Sequence, residues 1–303
     1  MSGSGGQSAV VVDAGGGAVP VGAAIAAVGL PRYVEVETSR RCNRTCDWCP
    51  NGKHTVRRRQ ELMGWTLFRR IVDELGGLEY GGWLAFHNYN EPLLNRRLLD
   101  EIGYVRATIP AARPAIYTNG DVLNLALYER LVAAGVRYIR VTRYPRRADA
   151  APRTDTIRAW LTRAGLDELL WDFRRVRQGL AAVIDTPELR VEVISPAIVG
   201  AYNNRGGSVT TLPVLVKTRT EPCLMTATSA VIDYRGRMKM CCCVYPEIPA
   251  HAGYVLGDLR TATFADLWWS ARMDAYRAAH ARADWSLSPA CTGCTQPLPE
   301  TRR

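Results

Sequence analysis

The chain has 303 residues, 47 % of them apolar, enough to bury one large domain or one large and one small. Its formal net charge of +10 rests on 36 arginines against three lysines, Lys53, Lys217 and Lys239. That balance points to an anionic partner, but not to nucleic acid, because the densest basic run, VRRRQ at 56–60, has no interleaved aromatic residues. No apolar run reaches the roughly 18 to 20 residues that span a bilayer, and the opening stretch lacks the basic start of a secretory signal.

Residues 1–30 read as a mobile extension. From Pro31 onward, strand and helix patterns alternate. RYVEVETS (32–39) alternates apolar and polar residues, as a half-buried strand does. TLFRRIVDELGG (66–77) places Leu67, Phe68, Ile71, Val72 and Leu75 on one helical face, with Thr66 as cap and Gly76-Gly77 as stop. A strand at 83–88, a helix at 96–107, a strand at 115–120, a helix at 123–135 and a strand at 136–142 follow. An arginine-rich helical region is expected to about Gly179, then a strand at 189–195. Five strands separated by helices predict an α/β fold with a parallel sheet, whose site lies at the carboxyl ends of the strands. Beyond Asn203 the pattern changes. TATSAVIDYRGRMKMCCC reads as two strands joined by a turn at Tyr234-Arg235-Gly236-Arg237, and 263–281 as a terminal helix. A domain boundary is expected between 207 and 221.

Nine cysteines fall in groups: Cys42, Cys46 and Cys49, then Cys223, then Cys241, Cys242 and Cys243, then Cys291 and Cys294. Without an export signal, such clusters read as metal sites in a reducing, cytoplasmic compartment rather than as a disulfide framework. The first group has the spacing C-x3-C-x2-C and no fourth thiol nearby. A four-iron cluster held by three cysteines keeps one iron open to an external molecule, whereas structural zinc wants a closed set of four.

This motif, on the loop after the first strand and with Trp48 before its last cysteine, resembles the radical S-adenosylmethionine (SAM) enzymes. The resemblance covers about Arg32 to Cys294. It implies a partial (β/α)6 TIM-like barrel at 31–207, a [4Fe-4S] cluster on Cys42, Cys46 and Cys49, and SAM on the open iron. It also implies a 5′-deoxyadenosyl radical that abstracts hydrogen from a C–H bond, and an external electron donor such as flavodoxin or ferredoxin. FHNYNEPLLN falls where this family carries Gly-Gly-Glu. Its two glycines are replaced by Tyr89 and Asn90, while Glu91 stays in place as the contact for the SAM ammonium. Asn119 in YTNG and Thr142 in VTRY match strand-end SAM contacts, and turn chemistry explains them equally well.

The carboxyl-terminal order NNRGG (203–207, with Arg205), EPC, CCC, GYVLGDL and CTGC resembles the SPASM/twitch extension, here 208–303. It implies one auxiliary [4Fe-4S] cluster on Cys223, Cys241, Cys291 and Cys294; structural zinc on the same thiols is the competing assignment. The spacing resembles 2-deoxy-scyllo-inosamine dehydrogenase and related sugar- and aminocyclitol-tailoring enzymes. The expected activity is therefore radical chemistry on a sugar or cyclitol unit of a natural product. Epimerisation with Cys242 or Cys243 as hydrogen donor leads, ahead of dehydrogenation of a secondary alcohol and of peptide maturation. His87, at a strand end, reads equally as a core residue or a substrate contact. His251 and His280 read as surface residues, and the Trp268-Trp269 pair as helix core.

Overall fold

The computed structural model describes residues 10–12, 18–20, 28–54, 61–199, 202–209, 218–294 and 296. The basic run 56–60 lies outside them. Within the amino-terminal segment, β1 (Val10–Val12) and β2 (Ala18–Pro20) pair antiparallel.

The chain then runs through β3 (Tyr33–Val36), α1 (Pro50–His54), α2 (Trp65–Gly77), β4 (Trp83–Ala85), α3 (Leu98–Thr108), β5 (Arg113–Thr118), α4 (Leu125–Ala133), β6 (Tyr138–Thr142) and α5 (Thr154–Ala164). It continues through β7 (Asp172–Val176), β8 (Gly179–Asp185), β9 (Arg190–Pro196), α6 (Met225–Thr228), β10 (Ser229–Ile232) and β11 (Arg237–Lys239). Last come α7 (Pro249–Ala252), β12 (Val255–Asp258), α8 (Phe264–Trp268) and α9 (Ala271–Ala281). Strands β3 to β12 form one ten-stranded sheet in the order β12-β11-β10-β3-β4-β5-β6-β9-β8-β7. Its centre, β10-β3-β4-β5-β6-β9, is wholly parallel. Among the described residues neither end of the order pairs further, and the fold is a partial, open relative of a TIM barrel, as expected.

Strand β3 is buried on both faces. Val34 and Val36 pack into the main core beneath α2, whose Phe68, Ile71, Val72 and Leu75 are buried there. The intervening Glu35 and Glu37 are buried as well, at 7 % and 5 % exposure. The alternation in RYVEVETS therefore separates an apolar core face from a polar interior face, not from solvent. Tyr33, Trp83, Ala85, Ala115, Tyr117 and Tyr138 continue that interior face across four strands.

Several sequence expectations need correction. The region before Gly179 is helical only over Thr154–Ala164; β7 and β8 then form an antiparallel hairpin added to β9. Strand β7, DFRRV, has apolar residues only at Phe173 and Val176, so it shows no period-two alternation. Gly179, at φ +146, sits where a Cβ would lie 2.3 Å from the Ser195 carbonyl oxygen, so glycine alone fits. The expected terminal helix is two helices, because the Ser270 hydroxyl accepts from the Met273 N–H and starts a new one. Gly64, not Thr66, occupies the N-cap position of α2. His251 and His280 are both buried, at 1 % exposure. The His251 Nδ1 accepts from the Tyr245 N–H at 3.0 Å, so its Nε2 carries the proton and donates to the Gly206 carbonyl at 2.8 Å. His280 meets the Ser288 hydroxyl at 2.8 Å. Of the tryptophan pair, Trp268 is core and Trp269 is 40 % exposed.

Candidate active site

The loop from β3 to α1 carries Cys42, Cys46 and Cys49 at the carboxyl end of the first barrel strand. The Cys49 N–H donates to the Cys46 carbonyl at 3.1 Å, and the Gly52 N–H to the Cys49 carbonyl at 3.1 Å. A Cβ on Gly52 would lie 2.7 Å from the Cys46 carbonyl oxygen, so α1 can close on the loop only with glycine there. Asp121 fastens the same loop from the far side. Its carboxylate accepts from Arg44 Nε and Nη2 at 2.7 and 2.6 Å, from Asn43 Nδ2 at 3.0 Å and from Arg143 Nη1 at 3.1 Å. Asn119 Nδ2 donates to Asn43 Oδ1 at 2.8 Å and stands 4.0 Å from the Cys42 sulfur.

The three thiols open into a cavity of about 290 Å³ that also reaches Trp48, Tyr89, Asn90, Glu91, Asn119, Thr142, Arg205, His87 and Cys242. Burial pushes the Cys42 thiol to about 11 and Cys46 to about 12, and raises Cys49 as well. Iron must therefore displace protons to bind there. Three sulfurs on one loop beside an adjoining cavity, with no fourth thiol lining it but Cys242 among the described residues, fit an open-site cluster with an external ligand.

Glu91 is 2 % exposed and held at both oxygens. Oε1 accepts from the Thr118 hydroxyl at 2.5 Å and the Leu93 N–H at 3.1 Å, and Oε2 from the Asn119 N–H at 2.7 Å. Burial still lifts its carboxyl to about 7, so a bound ammonium would restore the charged form. Trp48 stacks toward Tyr144 at 5.8 Å, and its buried indole N–H has no partner among the described residues. His87 lies against Tyr117 at 4.2 Å with Nδ1 buried and without a partner among the described residues; burial, aided by Arg205, Arg140 and Lys239, drops its pKa to about 3. The ring is neutral. Asn90 borders the cavity and also holds the turn: its Oδ1 accepts from the Asn88 N–H at 3.1 Å, and its amide donates to the Ser39 hydroxyl and the Phe86 carbonyl. Arg205 holds a left-handed backbone, φ +51, with its guanidinium 5.9 Å from the Tyr89 ring.

A second, smaller cavity is lined by Cys223, Cys241, Cys243, Cys291 and Cys294, five thiols where four are needed. Cys241 to Cys243 follow β11 in a turn, not in the strand expected, and the turn divides them. Cys241 and Cys243 line this second cavity, whereas Cys242 lines the first. The Cys242 carbonyl accepts from the Tyr89 hydroxyl at 2.9 Å and from Asn88 Nδ2 at 3.2 Å, which pins the turn to the carboxyl end of β4. Sequence reasoning missed Glu35, Asn88, Asp121 and Lys239. Asp121 follows Asn119-Gly120 and reads as turn chemistry; the alternation of β3 was the available signal for Glu35.

Known proteins carry the same two parts. The radical SAM superfamily matches residues 36–142, and the SPASM iron-sulfur cluster-binding domain matches residues 223–295. The chain is a radical SAM protein with a SPASM domain. It is an enzyme of that superfamily, using SAM and a [4Fe-4S] cluster, and the SPASM match selects iron–sulfur over zinc for the carboxyl-terminal thiols. The S-adenosyl-L-methionine-dependent 2-deoxy-scyllo-inosamine dehydrogenase of Niallia circulans is 26 % identical over 263 residues, spanning 86 % of this chain and 91 % of that one. A crystal structure of BtrN in complex with AdoMet and 2-DOIA superposes with a TM-score of 0.66 at 25 % identity, over 88 % of this chain and 94 % of that one. BtrN in an open conformation gives 0.59 at 21 % identity with the same coverage, a likeness of fold alone. Among the described residues no helix is long and apolar enough to cross a membrane.

Proposed function

We propose that the enzyme oxidises a secondary alcohol of an aminocyclitol or sugar to a ketone. The observation that carries this reading is the shared wall: the turn Cys241 to Cys243 borders the reaction cavity through Cys242 and the carboxyl-terminal thiol cavity through its two neighbours. When bound, the cofactors supply a 5′-deoxyadenosyl radical that takes a hydrogen atom from a C–H bond, and a one-electron acceptor behind that wall. Oxidation removes two hydrogens from the alcohol: one atom would go to the radical, one electron to the acceptor behind the wall and one proton to solvent water. The chain's own residues position the partners. Glu91 receives the SAM ammonium, Trp48 and Tyr144 wall one side of the cavity, and neutral His87 offers its ring to a substrate hydroxyl. The likeness to a dehydrogenase over most of both chains supports this chemistry. An external one-electron reductant such as flavodoxin or ferredoxin and a cytoplasmic setting belong to the same reading.

Epimerisation is the second reading, and one observation favours it. Cys242 is the member of its trio that faces the reaction cavity, where an S–H bond could return hydrogen to a carbon radical. Anaerobic turnover with SAM and aminocyclitols in D2O, read by mass spectrometry, separates the two. Dehydrogenation gives a product lighter by two hydrogens and free of deuterium. An isomer carrying one deuterium, abolished in Cys242→Ala, would replace dehydrogenation with epimerisation.

A further inference from the structure

Arg219 is 8 % exposed and lines the carboxyl-terminal cavity together with the five thiols, and no aspartate, glutamate or lysine lines it. The two histidines in its wall, His251 and His280, have their pKa values lowered by burial, so they add no charge at neutral pH. Among the described residues the guanidinium donates only to carbonyls. Nε donates to Glu221 at 2.8 Å and Nη2 to Pro222 at 2.7 Å, the two residues before Cys223. Nη1 donates to the Cys294 and Gln296 carbonyls at 3.2 and 2.6 Å. The backbone is fixed as well: the Arg219 N–H donates to the Thr292 carbonyl at 2.7 Å, and its carbonyl accepts from the Trp285 indole at 2.8 Å. One residue thus joins the segment carrying Cys223 to the one carrying Cys291 and Cys294.

A guanidinium does not give up its proton in a protein, and a buried charge is ordinarily paired. Arg277, at 2 % exposure, follows that rule: its Nη1 donates to the Asp274 carboxylate at 2.7 Å. Arg219 has carbonyl dipoles, which orient the fork without cancelling the charge. The missing anion has to come from what the neighbouring thiols hold. Four thiolates on a four-iron core carry net negative charge, each added electron deepens it, and that charge and its surroundings set the potential.

We propose that Arg219 is the counter-ion of the auxiliary cluster: it ties the two ligand segments together, and its fixed positive charge raises the potential at which that cluster takes up an electron. Arg219 is a positioning residue, since it reaches neither the reaction cavity nor the substrate. In dehydrogenation the substrate radical loses one electron and one proton, and a raised potential makes the electron's acceptor stronger. The inference rests on the presence of the auxiliary cluster and not on the reaction assigned to the enzyme above.

The test is an anaerobic redox titration of the holoenzyme followed by electron paramagnetic resonance. Adding SAM moves the signal of the first cluster, which separates the two and makes the first an internal control. Arg219→Gln should make reduction of the auxiliary cluster about tenfold less favourable, the scale of one charge acting over about 10 Å at an effective dielectric constant near 20. For one electron that is a fall of about 59 mV. Arg219→Lys keeps the charge and should stay within about threefold of wild type. Should Arg219→Gln shed its auxiliary irons, Arg219→Lys is still expected to hold about eight irons per chain. An unchanged or higher potential in Arg219→Gln, equal falls in the two variants, or loss of the auxiliary irons from Arg219→Lys would overturn the proposal. The expected shift in an enzyme found to epimerise would leave the counter-ion standing and remove the dehydrogenase reading. Oxidation to a ketone with no such shift would do the reverse.

Discussion

Replacing Asp121 by Asn removes the charge that ties the cluster loop to the ends of β5 and β6. Burial alone would raise this carboxyl, yet the hydrogen bonds and charges of Arg44 and then Arg143 hold it at about 2 against a usual 3.8. A fall of roughly two units corresponds to about 2.5 kcal/mol. Discounting for partial exposure leaves about 1 to 2 kcal/mol. The partners respond differently: pairing with Asp121 raises Arg44, whereas burial lowers Arg143. Most of the tie therefore belongs to Arg44, which also has the bidentate geometry. Because the folded-state pKa is depressed, the stabilisation is complete above the unfolded value near 3.8 and is lost as pH falls toward 2. The variant should thus differ from wild type by a constant amount from about pH 6 to 8. The assay is anaerobic extraction of the cluster by a chelator, followed by loss of its charge-transfer absorbance. A release of 1 to 2 kcal/mol in the loop predicts roughly 5- to 30-fold faster extraction. A variant that loses iron within about twofold of the wild-type rate would refute the idea that this ion cluster holds the loop.

Three further outcomes are expected. Substituting Cys42, Cys46 and Cys49 together by Ala should abolish 5′-deoxyadenosine formation; undiminished SAM cleavage would contradict the assignment of the first cluster. Glu91→Gln should weaken SAM binding by about 1 to 3 kcal/mol, and an unchanged dissociation constant would remove Glu91 from the ammonium contact. Reconstituted protein should hold about eight irons per chain, falling to about four when Cys291 and Cys294 are both replaced by Ala. Retention of the full iron content in that double variant would move the auxiliary ligands elsewhere.

Spacing in sequence made the cluster cysteines legible, because ligands on one short loop need no tertiary knowledge to be placed together. Glu91 was readable for a similar reason: it follows a strand by a fixed interval. Glu35 was not, since alternation alone does not say whether a polar face meets solvent or a barrel interior. Asp121 works through Arg44, Asn43 and Arg143, which join it from 77, 78 and 22 residues away. The hairpin of β7 and β8 was hidden by its many arginines, which suit a solvated helix face as well as a strand at a sheet end. The separation of Cys242 from its neighbours depends on a turn pinned by Tyr89 and Asn88, contacts spanning about half the chain.

The pairing of β10 beside β3 bears on how the chain can be divided. Ser229 to Ile232 run parallel to Tyr33 to Val36 in continuous register, and the Glu37 N–H donates to the Ile232 carbonyl at 2.8 Å. The SPASM segment thus contributes a staple to the first strand of the barrel instead of hanging from its end. A chain cut near residue 207 would leave β3 with one bare rim of backbone donors and acceptors beside the cluster loop, the kind of rim that recruits other chains. The seam between the two family matches is accordingly a poor place to cut: the amino-terminal piece would be sticky, and the strand that quiets it would be lost with the other half.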